Sequence, residues 1–523
     1  MAWNLKRWEV YFLISIYIFS VAIRLAPKLM VDPHLPAFQG DVWYRICMAQ
    51  YIFDHGRLPE PDIRYLSYGF VPMWYPPLSV TFLAVLSRIT ALDIPTVVTR
   101  VIPFLEAFSP LSIYFLARYL YNKHIAVYST VILAATPSFI YWTGIADPQS
   151  FLLLLIPLYV LWFIKYAKGE YGTISLVIMG IILGIGFLFH LSYFVLILVL
   201  LMVLIYFAAN DNTRRPLIAF LVLVGISQMV AFWWWYPRDL YWWWIKGLTS
   251  SSGYYTPLKH FFEFGAIPAL LGTVGMVYLA VKRNKYFALL GLWIIPLFLE
   301  TQNETILQLV GHIELSWETL MKPLEGFRFY CFLAQPVSIA AGVLVWKLIQ
   351  RISARVVFSG VLVLLAINLV TYDIAFDLVN AGINRSEYDA AVWYRENSPK
   401  NALIIADYYR AQMIAGVCGG KALLGGLFPL RNVDYPYIQA PGQVQNDLYV
   451  LYTTEDAEEA LQIITRYKIT HVFYSRNLET TGYFGTYLQE EKWGLEIPLD
   501  KFFTEWFTVV YRDENTLIFK VNQ

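Results

Sequence analysis

A succession of long apolar segments in the first 375 residues constrains the fold of this chain more than any other feature. A membrane-spanning helix needs roughly 17–25 mostly apolar residues. With 58% hydrophobic and 15% charged residues, the chain has more apolar surface than a soluble domain can bury. We therefore expect a polytopic α-helical membrane protein. The segments that meet the length requirement are 10–27, 76–92, 96–120, 124–142, 150–167, 173–190, 191–209, 216–236, 263–282, 285–300, 327–347 and 353–375.

The positions of the basic residues decide how many of these segments cross the membrane. The positive-inside rule places short Lys- and Arg-bearing connections on the cytoplasmic side, together with Lys6 and Arg7. Those connections share one side only if segment 76–92 does not cross, and this segment contains Arg88 and begins with two prolines. We predict about 11 spans, with 76–92 as an external helix. The basic connections are 118–123, 165–168, 214–215, 282–285 and 347–355.

This topology divides the chain into two predicted domains. Residues 1–375 form the transmembrane domain, whose first span is interpreted as a retained signal anchor because no small-residue cleavage site follows it. Residues 376–523 form a soluble α/β domain. We expect a cytoplasmic N-terminus and an extracytoplasmic C-terminal domain in the cell membrane. The external loops of the first domain are 28–95, 143–149, 237–262 and 301–326.

The residues after 376 have the mixed pattern of a soluble domain. Ser386 is predicted to cap a helix over 387–396, and a second, amphipathic helix is predicted to end at Tyr467. Strands are predicted at 402–406 and 470–474, and a closing hairpin at 509–512 and 516–521. About 145 residues suffice for one independent core.

Neither the net charge nor the cysteine content supports a nucleic-acid partner, a disulfide framework or a metal site. A formal net charge of +1 gives no basis for binding nucleic acid. The three cysteines, Cys47, Cys331 and Cys418, are scattered and match neither a disulfide framework nor a metal-binding motif.

The predicted topology gathers polar residues at one membrane face. Asp41 follows the first span, Asp147 stands in the turn between two spans, His190 lies between two more, and Arg328 begins the span after the loop 301–326. A planar guanidinium pairs with phosphate oxygens and stays protonated, and a loop carboxylate can accept or orient a proton. This set suits a membrane substrate that carries phosphate. Four glutamates precede Arg328: Glu300, Glu304, Glu314 and Glu318.

Several short motifs resemble the GT-C glycosyltransferases, and most of all the catalytic subunit of archaeal and bacterial oligosaccharyltransferase. They are Gly40-Asp41, Trp142-Thr-Gly-Ile-Ala-Asp147 and Gly326-Phe-Arg-Phe-Tyr-Cys-Phe-Leu-Ala-Gln-Pro336. The passage from Val392 into the strand at 402–406 also resembles the start of that family's C-terminal domain. The resemblance covers most of the chain in layout.

The resemblance implies a role for each matched residue. Asp41 and Asp147 would be the catalytic carboxylates, Arg328 with His190 would bind the donor phosphate, and a loop glutamate such as Glu304 or Glu314 would close on the acceptor. Asp41, Asp147 and the residue at position 149 would hold Mg²⁺ or Mn²⁺. Position 149 is Gln149 where the family has a second acid, which puts metal binding in doubt.

A second departure concerns the acceptor. The family's WWDYG signature falls at Ile405-Ala-Asp-Tyr-Tyr409, where Asp407 and Tyr408 remain on the acceptor side but both tryptophans are missing. The resemblance therefore implies a glycosyltransferase that uses a polyprenyl- or dolichyl-(pyro)phosphate-linked sugar and an acceptor that is a protein, a lipid or a glycan. Transfer of an oligosaccharide to asparagine and transfer of a single sugar to a lipid, a glycan or a Ser/Thr hydroxyl both stay open.

Two alternatives lie outside this class. A transporter of lipid-linked sugars would carry charges at mid-membrane, for which Glu106 is the main candidate. A relative that binds the carrier without catalysis is the other, since Gln149 and the missing tryptophans weaken the resemblance.

Overall fold

The computed structural model describes most of the chain. Side chains are described for all of these residues except 30–31, 40–41, 191, 371 and 441–442. By their contacts the residues form two units: the membrane unit, 1–31 and 98–379, and the second unit, 32–97 and 380–523. The described residues are 5–31, 40–60, 73, 75–210, 214–236, 264–302, 328–371, 383–419, 422–423, 441–484 and 494–522.

The described residues form helices throughout and one sheet near the C-terminus. A π-helical turn, Val97–Val101, connects α4 to α5, and 3-10 turns occur at Leu191–Tyr193 and Leu499–Phe502. The helices are α1 (Arg7–Val31), α2 (Gly40–His55), α3 (Pro77–Thr90), α4 (Ile94–Thr96), α5 (Ile102–Glu106), α6 (Leu111–Leu120), α7 (Lys123–Ala134), α8 (Pro137–Trp142), α9 (Gln149–Ala167), α10 (Thr173–Phe189), α11 (Phe194–Ala208), α12 (Arg214–Trp235), α13 (Ala266–Val281), α14 (Phe287–Thr301), α15 (Phe329–Ile349), α16 (Ala354–Thr371), α17 (Arg385–Asn397), α18 (Tyr408–Cys418), α19 (Pro441–Thr453), α20 (Ala457–Tyr467) and α21 (Leu478–Thr481). The strands are β1 (Ile404–Ile405), β2 (His471–Ser475), β3 (Phe507–Arg512) and β4 (Thr516–Val521).

The described residues include the apolar helices that the sequence predicted. Among the described residues, five segments are long and apolar enough to cross a membrane, and seven further apolar helices are shorter. The predicted span 124–142 is divided into α7 and α8 because Pro137 begins a new helix. The multi-pass α-helical fold is thus confirmed. The five long segments are Arg7–Leu29, Ile94–Leu120, Gln149–Ala167, Arg214–Trp235 and Phe329–Ile349.

Helix α15 lies in the interior of the membrane unit. Its residues are buried along most of its length, and it packs against α7 and α13. At Gly275 of α13, an added Cβ would stand 2.2 Å from the carbonyl oxygen of Ala340. Glycine therefore allows these two helices to approach backbone to backbone, as is common where membrane helices pack.

The second unit contains a four-stranded sheet in the order β1-β2-β4-β3. Strand β1 pairs in parallel with β2, while β4 pairs antiparallel with both β2 and β3. The predicted hairpin is present, with strands at Phe507–Arg512 and Thr516–Val521. Helix α17 is also present, but its N-cap is Asn384 in a capping box with Glu387, and not Ser386 as predicted. The Ser386 hydroxyl instead donates to Asp513 at 2.6 Å.

Residues predicted to be an external loop of the membrane domain belong by their contacts to the second unit. Helix α2 packs on α18, with Trp43 fully buried. A Cβ at Gly416 would stand 2.9 Å from the Trp43 ring and its carbonyl oxygen, so α18 needs glycine there. The segment 32–97 thus groups with 380–523, and the loop predicted to start at residue 28 starts later, because Lys28 lies inside α1.

Candidate functional site

Asp147 stands at the start of α9, in a turn that its own side chain closes. Its Oδ1 accepts from the backbone N–H of Gln149 at 2.9 Å, and its carbonyl accepts from the N–H of Ser150. The preceding Ala146 has φ +56°, in the left-handed region that alanine seldom adopts. Backbone strain at a non-glycine residue is typical of functional sites. Asp147 therefore begins a helix and, at the same time, presents a carboxylate that is only 4% exposed.

Arg328 lies beside this carboxylate, and the sequence predicted that both residues lie at the same membrane face. Its Nη1 is 3.9 Å from Asp147 Oδ2, and its guanidinium lies 5.0 Å from the centre of the Trp142 ring. Because α15 begins immediately after Arg328, the buried helix holds the guanidinium at this end of the membrane unit. A guanidinium held over an aromatic ring and near a carboxylate is well placed to bind an anion.

His190 lies at the same end of the membrane unit. It follows α10, and its Nδ1 accepts from the backbone N–H of Ser192 at 3.2 Å. In a neutral imidazole with this hydrogen bond the proton lies on Nε2. The neighbouring Phe189 contacts Phe151 of α9, and Phe194 contacts Phe329 of α15, with ring centres 5.8 and 6.4 Å apart.

Gln149 follows Asp147 by two residues and is completely buried. Within the part of the chain that the structure describes, neither its amide nitrogen nor its amide oxygen has a hydrogen-bond partner. An unsatisfied buried amide costs on the order of 1–3 kcal/mol. Gln149, which stands where the resembled family has a second acid, thus has an unused amide donor and acceptor that a bound ligand could satisfy.

Two buried cations that the sequence reading missed support the turn before Asp147. Arg24 Nε donates to the carbonyl oxygen of Thr143 at 2.9 Å, and its Nη2 donates to the Thr143 hydroxyl. Lys28 Nζ donates to the carbonyl of Gly144 at 2.6 Å. The two cations lie four residues apart on one face of α1; Arg24 is inside the predicted span 10–27, and Lys28 directly follows it. Charges within a span usually face the bundle interior, which is the signal that could have identified them.

Glu106 completes this buried group. Ser150 donates to its Oε1 at 2.7 Å, and it lies within electrostatic reach of Lys28, Arg24 and Asp147. Its Oε2 has no hydrogen-bond partner among the described residues. The charge that suggested a transporter is thus hydrogen-bonded to the first turn of α9, next to the Asp147 turn.

The other predicted site residues fall in two groups. Asp41 lies in the first turn of α2, in the second unit, and its side chain is outside the described set. Glu304, Glu314 and Glu318 also lie outside the described residues. The predicted convergence of Asp41 with Asp147 and the role of a loop glutamate stay predictions.

Asp407 and Tyr408 begin α18 in the second unit. Asp407 is completely buried, accepts from the backbone N–H of Arg410 at 3.2 Å and forms an ion pair with the Arg410 guanidinium at 3.1 Å. Arg410 also pairs with the buried Glu387 at 2.7 Å. Burial raises the pKa of the Asp407 carboxyl, while Arg410 acts to lower it. These contacts give Asp407 a structural role, and its predicted role toward an acceptor stays a prediction.

The predicted divalent-cation site has two of its three predicted ligands, Asp147 and Gln149, among the residues with described side chains. Asp147 and the Gln149 amide oxygen are hard oxygen donors, but Mg²⁺ requires about six. Among the described residues, no group of three or more His, Cys, Asp or Glu side chains could hold a metal ion. The orphaned Gln149 oxygen fits the expected donor type, and further donors would have to come from other groups.

The chain is similar to known proteins in part of its sequence and in its fold. Residues 76–235 match the family model "Dolichyl-phosphate-mannose-protein mannosyltransferase". A search of curated proteins found no match. The fold is similar to that of the oligosaccharyltransferase AglB from Archaeoglobus fulgidus, solved with an inhibitory peptide and a dolichol-phosphate, with a TM-score of 0.63 and 15% identity over 92% of this chain and 70% of that one.

Two other solved structures share the fold. ArnT from Cupriavidus metallidurans, solved with undecaprenyl phosphate, has a TM-score of 0.58 and 13% identity over 98% of this chain and 97% of that one. The arabinofuranosyltransferase AftD from Mycobacteria has a TM-score of 0.55 and 10% identity over 100% of this chain and 40% of that one. The expected resemblance is confirmed at the level of the fold: the chain shares its fold with these membrane glycosyltransferases, and the mannosyltransferase family model matches residues 76–235.

Proposed function

We propose that the protein transfers a sugar or oligosaccharide from a polyprenyl- or dolichyl-(pyro)phosphate carrier to an acceptor on the extracytoplasmic face of the membrane. The observation that carries this proposal is the pairing of Arg328 with the buried Asp147, at the end of a membrane unit with the GT-C fold. A catalytic carboxylate next to an anion-binding guanidinium is what such a transfer needs.

The reaction assigns a task to each group. The acceptor's nucleophile forms a bond to the anomeric carbon while the bond from that carbon to the carrier phosphate oxygen breaks, which leaves added negative charge on the phosphate. Arg328 stabilises that charge, and Trp142 holds the guanidinium in position. The sequence predicts the carboxylate role, accepting or orienting the nucleophile's proton, for Asp41 and Asp147. Mg²⁺ or Mn²⁺, for which the sequence predicts Asp41, Asp147 and Gln149 as ligands, would supply additional positive charge at the phosphate.

The test is transfer from a labelled lipid-linked sugar in proteoliposomes. Asp147→Asn keeps the turn, since an amide oxygen can still accept from Gln149, but loses the charge. We expect D147N and R328Q to lose transfer by roughly 100-fold or more, with R328K intermediate because lysine lacks the planar fork. D41A should be equally inactive.

Lys282→Gln is the matched control, because Lys282 is an exposed cation at the end of α13. It should transfer at the wild-type rate. Near-normal transfer by folded D147N and R328Q would refute the proposal. Carrier turnover without an acceptor product would instead favour a relative that binds the carrier without glycosyl transfer.

A second candidate, transfer of one sugar to a lipid, a glycan or a hydroxyl, is favoured by the match of residues 76–235 to a family described as dolichyl-phosphate-mannose-protein mannosyltransferase. Adding a sequon peptide to the same assay separates the two. A labelled glycopeptide supports oligosaccharide transfer to asparagine, whereas label found only in lipid, glycan or hydroxyl-linked product supports the second candidate.

A further inference from the structure

An apolar groove of about 240 Å³ lies on the membrane unit between α6 and α9. Leu161 and Trp162 form its buried floor, while Phe115, Leu158 and Tyr171 are partly exposed at its opening. These helices belong to segments long and apolar enough to cross a membrane, so we expect the groove to open toward lipid. None of its lining residues belongs to the candidate functional site.

One lining residue, Trp162, has a polar group without a partner among the described residues. Trp162 is 8% exposed, and its indole Nε1 has no hydrogen-bond partner within the described residues. A buried indole N–H usually finds an acceptor, because leaving it unpaired is costly. An occupant of this groove would therefore be apolar over most of its length and would carry an acceptor oxygen.

A cluster of cations borders the Tyr171 end of the groove. Lys165 lies 5.4 Å from the Tyr171 ring and 3.5 Å from Glu170, which neutralises it. Arg215 donates to the carbonyl of Tyr171 at 2.7 Å, and Lys168 lies 4.9 Å from the Tyr119 ring. Lys168 and Arg215 are exposed, and no ion pair engages either of them among the described residues. With Arg214 they leave this rim strongly positive.

We propose that this groove binds an anionic phospholipid, with an acyl chain along the α6–α9 surface and the phosphate between Lys168 and Arg215. The indole N–H of Trp162 donates to an ester carbonyl of the lipid. A neutral transmembrane helix in the groove would leave Lys168 and Arg215 without a counter-charge. A lipid phosphate would supply that negative charge beside the end of α9 and the start of α12. Basic pockets between membrane helices are known to select anionic head groups.

The test measures the thermal stability of the purified full-length protein in detergent while phosphatidylglycerol or phosphatidylcholine is added. Phosphatidylglycerol should raise the Tm of the wild type more than phosphatidylcholine does, because ligands that bind the folded state stabilise it. The double variant K168Q/R215Q should bind phosphatidylglycerol roughly tenfold or more weakly. Trp162→Phe keeps an aromatic ring but removes the indole N–H. It should weaken the binding of phosphatidylglycerol and of phosphatidylcholine to a similar degree.

The control double variant K282Q/R351Q removes two exposed cations elsewhere in the membrane unit and should keep the full phosphatidylglycerol effect. Equal stabilisation by both lipids, or an unchanged response in K168Q/R215Q, would overturn the proposal. Stabilisation by inorganic phosphate equal to that by phosphatidylglycerol would overturn it too, since it would show an anion site that makes no use of the groove. The proposal does not depend on glycosyl transfer.

Discussion

Arg24 and Lys28 show how individual charged residues in an apolar helix are stabilised in the membrane unit. Ionisable groups in a membrane span are costly unless they find partners inside the bundle. These two cations donate to backbone carbonyls at Thr143 and Gly144, and Glu106 adds a negative charge nearby. The consequence is local: the turn that carries Asp147 is held by side chains from a helix more than a hundred residues earlier in the chain.

Gln149→Asp tests at the residue scale whether position 149 can complete a cation site. The change places a second carboxylate in a buried position two residues after Asp147, where like charges repel unless a divalent cation neutralises them. We expect the variant to be less stable than wild type in EDTA and to gain several degrees in Tm when Mn²⁺ is added. Gln149→Leu serves as the control that fills the same space without charge. An equal Mn²⁺ effect in all three proteins would contradict this expectation.

At the scale of single elements, α18 depends on a buried network rather than on its own sequence pattern. Asp407 caps the helix, accepts from the backbone N–H of Tyr483 and pairs with Arg410, which in turn pairs with Glu387 of α17. Breaking a buried ion pair by removing one partner leaves an uncompensated charge.

Asp407→Ala should therefore destabilise the second unit by roughly 3–5 kcal/mol. Asp407→Asn should cost less, because an amide oxygen can still cap α18. Thermal unfolding of both variants checks this order, with Glu396→Ala, an exposed acid on α17, as the neutral control. If Asp407→Ala unfolds like the wild type but loses acceptor binding, the acceptor-side role predicted from the sequence is supported instead.

Lys501 makes the stability of the second unit depend on pH. Its ammonium group donates to the carbonyls of Tyr452 and Thr454, and burial lowers its pKa to about 8. Since the unfolded lysine titrates near 10.4, the unfolded chain binds more protons between these two values. The penalty for holding the charged lysine is complete below pH 8 and disappears as the pH rises toward the unfolded pKa.

Lys501→Met should remove this dependence. The Tm of the wild type minus that of the variant should increase between pH 7.5 and pH 10, whereas a group with an unshifted pKa would give a constant difference. A difference that stays constant or falls over this range would contradict the lowered pKa.

At the scale of the whole molecule, membrane topology is the property that most needs an experiment. The positive-inside prediction puts the connection after α15 in the cytoplasm and the residues after 380 outside. In a variant without the three native cysteines, single cysteines at Arg351 and Lys400 should be labelled from opposite sides by a membrane-impermeant reagent. A cysteine at Leu92, after the short helix α3, should be labelled from the same side as the one at Lys400. If the cysteines that replace Arg351 and Lys400 were labelled from the same side of the membrane, the predicted orientation would be refuted.

The sequence by itself determined the features that depend on local pattern. The membrane helices follow from the length and apolar content of each segment, and the β3–β4 hairpin follows from two β-rich runs around Asp513-Glu-Asn515. Asp147 and Arg328 could also be predicted to share a face, because the charges of the connecting loops decide which helix ends lie together. The local pattern does not distinguish Asn384 from Ser386 as the N-cap of α17, because both residue types suit that position, and the structure has Asn384 there.

Only the tertiary structure decided which partners these residues have. Arg24 meets Thr143 across 119 positions, Glu106 meets Ser150 across 44, and Arg410 meets Glu387 across 23. Such pairs have no signature in the local pattern, because the packing of whole helices brings them together. The same holds for the groove between α6 and α9, whose apolar lining resembles any span and whose cations come from the end of α9 and the start of α12. Burial then makes each contact matter, since a charge or amide removed from water must find a partner within the protein or in its ligand.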